Sequence, residues 1–386
     1  MKNKYFNLID FGSSKIRFSI YDVNLKIKFS EAKSVIIDNN FVNHFEVIKN
    51  IIRKAEKKIS NHIEDIILLM DSPDLFSIEI GLKKELNKNS RISREHSSLV
   101  LELRQILKTH YSNFYIVNII LDKCEIDSKI YEELPKTGEI KNHIKIDFKV
   151  LCLPKNLTSL IISKFIENNI NIKNIFCSSY VKSLSYLKNI SLKKVSFLDF
   201  GMERTSLLSF KNNKLKIIKT IPIGSIHITK DISKVFNLSI EESEKIKRLF
   251  NKSESEFSYN TGPADELFSA KDIINKNISV GLLKKVILYR VQEIVDLIFE
   301  KSKAKNSNYI FADSELFLIG EGSLLFNNNS FYLDDKFRFK AINFYEETDD
   351  QICQSGLIYH LNNYEIIKSV NKKKGIFEKF FNYFSK

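Results

Sequence analysis

Tyr5-Phe6-Asn7-Leu8-Ile9-Asp10-Phe11-Gly12-Ser13-Ser14-Lys15 begins as an apolar run, halts at an Asp-Phe-Gly turn and continues into Lys15-Ile16-Arg17-Phe18-Ser19-Ile20-Tyr21, where apolar and polar residues alternate. A further alternating stretch covers Leu25 to Phe29. Period-two alternation buries one face of an extended chain, so the segment reads as strand, tight glycine turn, strand, turn, strand. The same pattern returns at Val195-Ser196-Phe197-Leu198-Asp199-Phe200-Gly201, then Ser206 to Phe210, a Lys211-Asn212-Asn213 turn, and Leu215 to Ile221. A unit that recurs with Asp-Phe-Gly at its first turn implies an internal duplication and two similar lobes.

Between and after the copies the periodicity changes. Helical spacing covers Asn43 to Lys58 and Ser97 to Lys108, with a mixed segment from Asp74 to Leu153. Ser239-Ile240-Glu241-Glu242 starts a helix with a serine cap and an acidic first turn, which the helix dipole favours. Leu282 to Phe299 is a long amphipathic helix, and Asn251 to Ala264 has the Ser, Asn, Gly and Glu content of an exposed loop. A strand at Leu316 to Ile319 ends in Gly320-Glu321-Gly322-Ser323.

The chain has 386 residues, enough for two or three units, and a formal net charge of +13. Lys, Asn and Ile are abundant throughout, and the 30 Phe and 15 Tyr lie within strand-like and helix-like runs. This argues for core packing and against a nucleic-acid surface, where charge gathers on one face among stacking aromatics. Cys124, Cys152, Cys177 and Cys353 have no paired spacing, so they read as buried or incidental thiols of a reducing cytoplasm and not as a zinc site. Neither end carries a bilayer-length apolar run or the layout of a signal peptide. The expectation is a protein that stays where it is made.

Asp10, Gly12, Ser13, Ser14 and Lys15 place a carboxylate at a strand end, then a sharp turn, then hydroxyls and a charge able to face phosphate oxygens. Asp10 could reach an accompanying Mg²⁺ through water. Alone, such a hairpin is compatible with a simple turn. The second copy, with Asp199 and Gly201, and the late Gly320-Glu321-Gly322 turn add two more glycine turns at strand ends. That set resembles the actin, heat-shock chaperone and sugar-kinase superfamily, and within it the chain resembles the bacterial cell division protein FtsA over nearly its whole length. Ile221-Pro222-Ile223-Gly224-Ser225-Ile226-His227-Ile228-Thr229-Lys230-Asp231-Ile232 is similar to the FtsA segment after the second phosphate loop. Glu241 to Lys247, with Glu244 and Lys247 on one face, is similar to its ribose-contacting helix.

The resemblance implies an α/β, two-lobed actin/ribonuclease-H-like fold with an FtsA-type inserted subdomain and a C-terminal amphipathic helix. By it, residues 1–73 and 154–194 form the first lobe around an insertion at 74–153. Residues 195–224 and 300–345 form the second lobe around a small subdomain at 225–299, which is the FtsZ-binding candidate. Residues 346–363 return to the first lobe, and 364–374 link to a membrane helix at 375–386. ATP with Mg²⁺ is the implied cofactor. The implied partners are the FtsZ C-terminal peptide, further copies of the chain in a filament or dimer, later division proteins and anionic lipid. The implied place is the cytoplasmic face of the cell membrane at the septum.

Two departures bear on the cofactor. The FtsA pattern Asp-X-Gly-X-Gly-Thr is here Asp199-Phe200-Gly201-Met202-Glu203-Arg204, and Glu321 stands where a Gly is usual. Glu203 would set negative charge beside phosphates, which Arg204 either offsets or leaves as a weakened site. Read blandly, Glu244 and Lys247 are a solvated pair and His227 a support for its helix entry. No residue stands out to orient an attacking water, so at most a weak ATPase is expected.

In the tail, at about 100° per residue, Ile376, Phe377, Phe380, Phe381, Tyr383 and Phe384 fall on one face, with Glu378, Lys379, Asn382, Ser385 and Lys386 on the other. Lys372, Lys373, Lys374, Lys379 and Lys386, less Glu378, give a local charge of +4. A helix of this type lies in the headgroup region, with lysines near anionic lipid adding about 1 kcal/mol each. A pilus-assembly actin-like scaffold and an ATP-dependent small-molecule kinase are the competing readings.

Overall fold

The duplicated pattern builds two sheets of the same topology. The computed structural model describes residues 5–35, 42–135, 137–252, 278–300, 314–326 and 339–363. In the first sheet β1 (Tyr5–Phe11), β2 (Lys15–Asp22) and β3 (Ile27–Ser34) form an antiparallel meander. On the other side of β1 lie β4 (Asp65–Met70) and, beyond it, β11 (Asn171–Cys177), both parallel. The second sheet repeats this with β12 (Lys194–Phe200), β13 (Thr205–Lys211) and β14 (Lys214–Ile221) as the meander, and β15 (Glu315–Ile319) and β16 (Ala341–Phe344) as the parallel pair. The strand orders are β11-β4-β1-β2-β3 and β14-β13-β12-β15-β16. The expected two-lobed α/β fold is what these sheets make.

Register makes the duplication quantitative. Asp10 lies opposite Arg17 on β2 and Leu69 on β4, and Asp199 lies opposite Ser206 on β13 and Ile319 on β15. A residue five places after either aspartate, or two places beyond its parallel partner, therefore has a counterpart in the other lobe.

Helices cover these sheets: α1 (Val42–Ile59), α3 (Lys155–Ile166), α4 (Ser178–Leu187) and, late in the chain, α8 (Asp349–Asn362). Helices α4 and α8 pack on each other and share one apolar cluster with side chains of both sheets, including Tyr180, Val181, Ile352, Leu357, Phe197 and Leu208. A second cluster joins the second sheet to α5 (Ser225–Phe236), α6 (Ile240–Lys252) and α7 (Val280–Glu300). Between β4 and β11 stands a separate sheet of order β5-β10-β7-β8, made of β5 (Phe76–Glu85), β7 (Phe114–Ile126), β8 (Lys129–Tyr131) and β10 (His143–Pro154). It buries its own core against α2 (Ile92–His110). A short pair, β6 (Ser90–Arg91) with β9 (Glu139–Ile140), stands beside it.

Two boundaries differ from the sequence reading. Strand β3 starts at Ile27 and runs on to Ser34, because Leu25 takes a left-handed turn conformation with φ of 62°. Helix α2 starts at Ile92, ahead of the Ser97 expected. Its first turn buries Glu95, which Lys84 and Ser90 satisfy, and a glutamate there breaks the apolar period. The loop expected from Asn251 overlaps the end of α6 at Lys252, and the rest of it lies outside the described residues, as does the 375–386 tail. Among the described residues no helix is long and apolar enough to cross a membrane.

Candidate functional site

The three glycine turns meet in one cleft between the lobes. Its cavity of about 1120 Å³ is lined by Asp10 and the Gly12 to Ser14 turn, by Gly201 to Arg204, by Gly320 to Gly322, and by one face of α6 including Glu244 and Lys247. At Gly12 a Cβ would sit 2.6 Å from the Lys15 carbonyl oxygen, so only glycine closes that hairpin. Gly320 has φ of +85°, and a Cβ there would stand 2.7 Å from the Phe200 carbonyl oxygen. These turns thus follow from strand packing, whatever the cleft holds.

At the first turn the Arg17 Nη1 donates to Asp10 Oδ2 at 2.9 Å and Ser178 Oγ donates to Asp10 Oδ1 at 2.7 Å. Lys15 lies 3.2 Å from both Glu321 and Asp349, and Arg17 donates through Nε to Asp349 at 2.6 Å and through Nη2 to Glu321 at 3.3 Å. Burial works against the Asp349 charge, but hydrogen bonding and attraction from Arg17 and Lys15 hold its carboxyl below the usual range.

The second turn is more deeply enclosed. Arg204 donates to Asp71, to Asp199 Oδ2 at 3.1 Å and to Ser206 Oγ at 2.6 Å. Lys182 of α4 donates to Asp199 Oδ1 at 3.0 Å and lies 3.1 Å from Glu347. Glu347 in turn accepts from Tyr186 at 2.8 Å and from the Gly320 amide at 2.6 Å. Burial would raise the Asp199 carboxyl, yet the Lys182 and Arg204 charges outweigh it and hold the group ionised. Glu203 also lines the cavity, and burial pushes its carboxyl up against a smaller opposing pull from the Lys230 charge.

On α6, Lys247 is turned inward. It is 3 % exposed and donates to the Ser225 carbonyl at 3.0 Å and to Thr229 Oγ1 at 2.8 Å, with Glu244 at 2.6 Å. Glu244 also accepts from Thr229 and Arg248. The pair is therefore not a solvated surface contact: it pins α6 to α5 while lining the cleft. His227 stands at the entry of α5, where its Nδ1 accepts from the Gly224 amide at 3.2 Å. That is the support role its position suggested.

Asp71, Lys182, Glu347 and Asp349 were not singled out in the sequence, although they decide the electrostatics of the cleft. A signal existed for Asp71 alone, which directly follows the apolar run Ile66 to Met70 at the carboxyl end of β4, where open α/β sheets place polar groups.

Two sheets of repeated topology, closing on a cleft lined by three glycine turns, define a protein of the actin-like ATPase fold. Solved structures agree. The chain is similar to the PilM-PilN type IV pilus biogenesis complex (TM-score 0.57, 11% identity, covering 92% of this chain and 95% of that one). It is also similar to MreB 5 of Spiroplasma citri, whose structure is bound to AMPPNP (TM-score 0.53, 12% identity, 95% and 99% covered). At these identities the likeness is one of fold.

A family model described as cell division protein FtsA matches residues 196–328. FtsA of Buchnera aphidicola subsp. Schizaphis graminum is 22% identical over 323 residues, which is 81% of this chain and 74% of the relative. FtsA of Buchnera aphidicola subsp. Baizongia pistaciae is 25% identical over 335 residues, 78% and 73% respectively. FtsA of Helicobacter pylori (strain ATCC 700392 / 26695) is 26% identical over 128 residues, so that match spans a third of this chain and a quarter of the relative. Together with the fold, these matches support a divergent FtsA.

Proposed function

We propose that the protein is a cell-division adaptor that holds FtsZ polymers at the cytoplasmic face of the membrane and helps assemble the division ring. The observation that carries this reading is the likeness to cell division FtsA across four fifths of the chain. In this reading the small subdomain around α5, α6 and α7 receives the C-terminal peptide of FtsZ, and the 375–386 helix lies on anionic lipid. One short amphipathic helix binds reversibly, so firm attachment comes from many copies acting together along a self-associated polymer. The sheet between β4 and β11 is the surface offered to later division proteins.

The cleft is where ATP with Mg²⁺ would lie, and the two lobes suit it unequally. The Gly12-Ser13-Ser14 turn offers donors to phosphates, and Asp10 would reach the ion through water. The opposite turn presents Glu203, and its cation Arg204 is committed to Asp71 and Asp199. Nucleotide is therefore held weakly, and the adaptor role does not depend on hydrolysis.

Sedimentation with liposomes tests the membrane half of the reading. The full chain should pellet with vesicles containing anionic lipid, and removal of Gly375 to Lys386 should abolish pelleting while leaving binding to an FtsZ C-terminal peptide intact. Equal pelleting of the truncated chain would overturn the tail assignment.

A further inference from the structure

The internal duplication relates two ion pairs that cross the cleft. Lys15 lies five residues after Asp10, and Arg204 five after Asp199. Asp71 lies two residues beyond Leu69, the β4 partner of Asp10, and Glu321 two beyond Ile319, the β15 partner of Asp199. Lys15 and Arg204 are thus counterparts, and so are Asp71 and Glu321. In the structure each cation reaches the carboxylate of the other lobe: Lys15 of the first lobe pairs with Glu321 of the second, and Arg204 of the second with Asp71 of the first. The two contacts are one contact made twice, related by the pseudo-twofold of the fold.

The linking helices reinforce them. Lys182 on α4 bonds Asp199 of the second sheet, while Asp349 on α8 takes Lys15 and Arg17 of the first. Asp71, Arg204, Asp199, Lys182 and Glu347 form an unbroken chain of alternating charge across the cleft floor, with side chains between 3 % and 15 % exposed. The cations at the glycine turns, Lys15, Arg17, Lys182 and Arg204, are engaged with Asp10, Asp71, Asp199, Glu321, Glu347 and Asp349, carboxylates that outnumber them. Bringing phosphates in would break buried pairs and set like charges together, so the same groups cannot serve both purposes at once.

We propose that these reciprocal ion pairs form a built-in clamp that keeps the two lobes closed without a nucleotide, taking over the bridging that a phosphate chain would supply. The proposal rests on the two-lobed fold and not on the division reading, so either can fail alone.

The test is the inter-lobe distance in the full chain, read by pulsed electron resonance between spin labels on Asn24→Cys and Tyr289→Cys, both exposed, while the four native cysteines are buried. The expected result is a narrow distance distribution that millimolar MgATP leaves unchanged, and a broader distribution shifted to longer distances in Asp71→Asn and in Glu321→Gln. Should Asp71→Asn fail to fold, the more exposed Glu321→Gln, alone or combined with Lys15→Gln, gives the same readout. A wild-type distribution that narrows only when MgATP is added, or foldable variants indistinguishable from wild type, would overturn the clamp.

Discussion

Arg204 shows how much one side chain carries here. It sits in the second glycine turn, and it satisfies two carboxylates that are each about 3 % exposed. Removing one member of a buried ion pair typically costs about 3 to 5 kcal/mol, because the partner charge stays behind. Arg204→Met should lose stability of that order in urea unfolding, and a loss under about 1 kcal/mol would mean that Asp71 and Asp199 find other partners. Glu203 is the contrasting neighbour, a cavity-lining carboxylate whose burial the Lys230 charge offsets only in part. Glu203→Gly should tighten MgATP binding by about tenfold in calorimetric titration, close to 1.4 kcal/mol; unchanged affinity would show that Glu203 does not oppose phosphate. Asp10, Gly12, Asp199 and Gly201 were legible because a strand-end aspartate followed by a glycine turn is a local pattern. The partners of Arg204 and Lys15 were not, since Asp71 lies 133 residues from Arg204 and Asp349 lies 334 from Lys15. Only the closure of the two lobes puts those charges side by side.

Helix α8 is the element that returns the chain from the second sheet to the first. Thr348 caps it, accepting from the Gln351 amide while the Gln351 side chain accepts from the Thr348 amide. At its far end His360 is buried against Phe6 and Phe176, with Asn174 Nδ2 3.2 Å from its Nδ1. Burial, helped by the Lys173 charge, lowers its pKa from 6.5 to about 4. The folded protein therefore holds a neutral ring at pH values where the unfolded chain already binds a proton. This makes no difference above pH 6.5, and stability falls as the pH drops from 6.5 to about 4. The accumulated loss is about 3 kcal/mol, and His360→Gln should flatten the profile across that window. Equal slopes in the two proteins would remove His360 as the cause. Helical spacing exposed α1 and α7 in the sequence because each has one apolar stripe. The start of α2 escaped notice because its first turn buries a glutamate that is satisfied from β5.

For the whole molecule, the two copies of strand, turn and strand carried most of the fold, since a duplicated meander with its apolar alternation can close only as two like sheets. The segment between β4 and β11 reads as mixed in sequence and forms a sheet with its own core against α2. The closed cleft was least legible, because it depends on charges contributed by both lobes and by both linking helices. In the proposed adaptor reading a partner-binding surface and a lipid-binding tail have to be presented from one frame, and the proposed clamp of ion pairs would keep that frame without nucleotide turnover. The most direct test of the adaptor reading is co-sedimentation of FtsZ polymers with vesicles containing anionic lipid. The full chain should bring FtsZ into the vesicle pellet, and the chain lacking Gly375 to Lys386 should leave it in the supernatant. FtsZ that stays in the supernatant with the full chain, or pellets equally without the tail, would contradict the account.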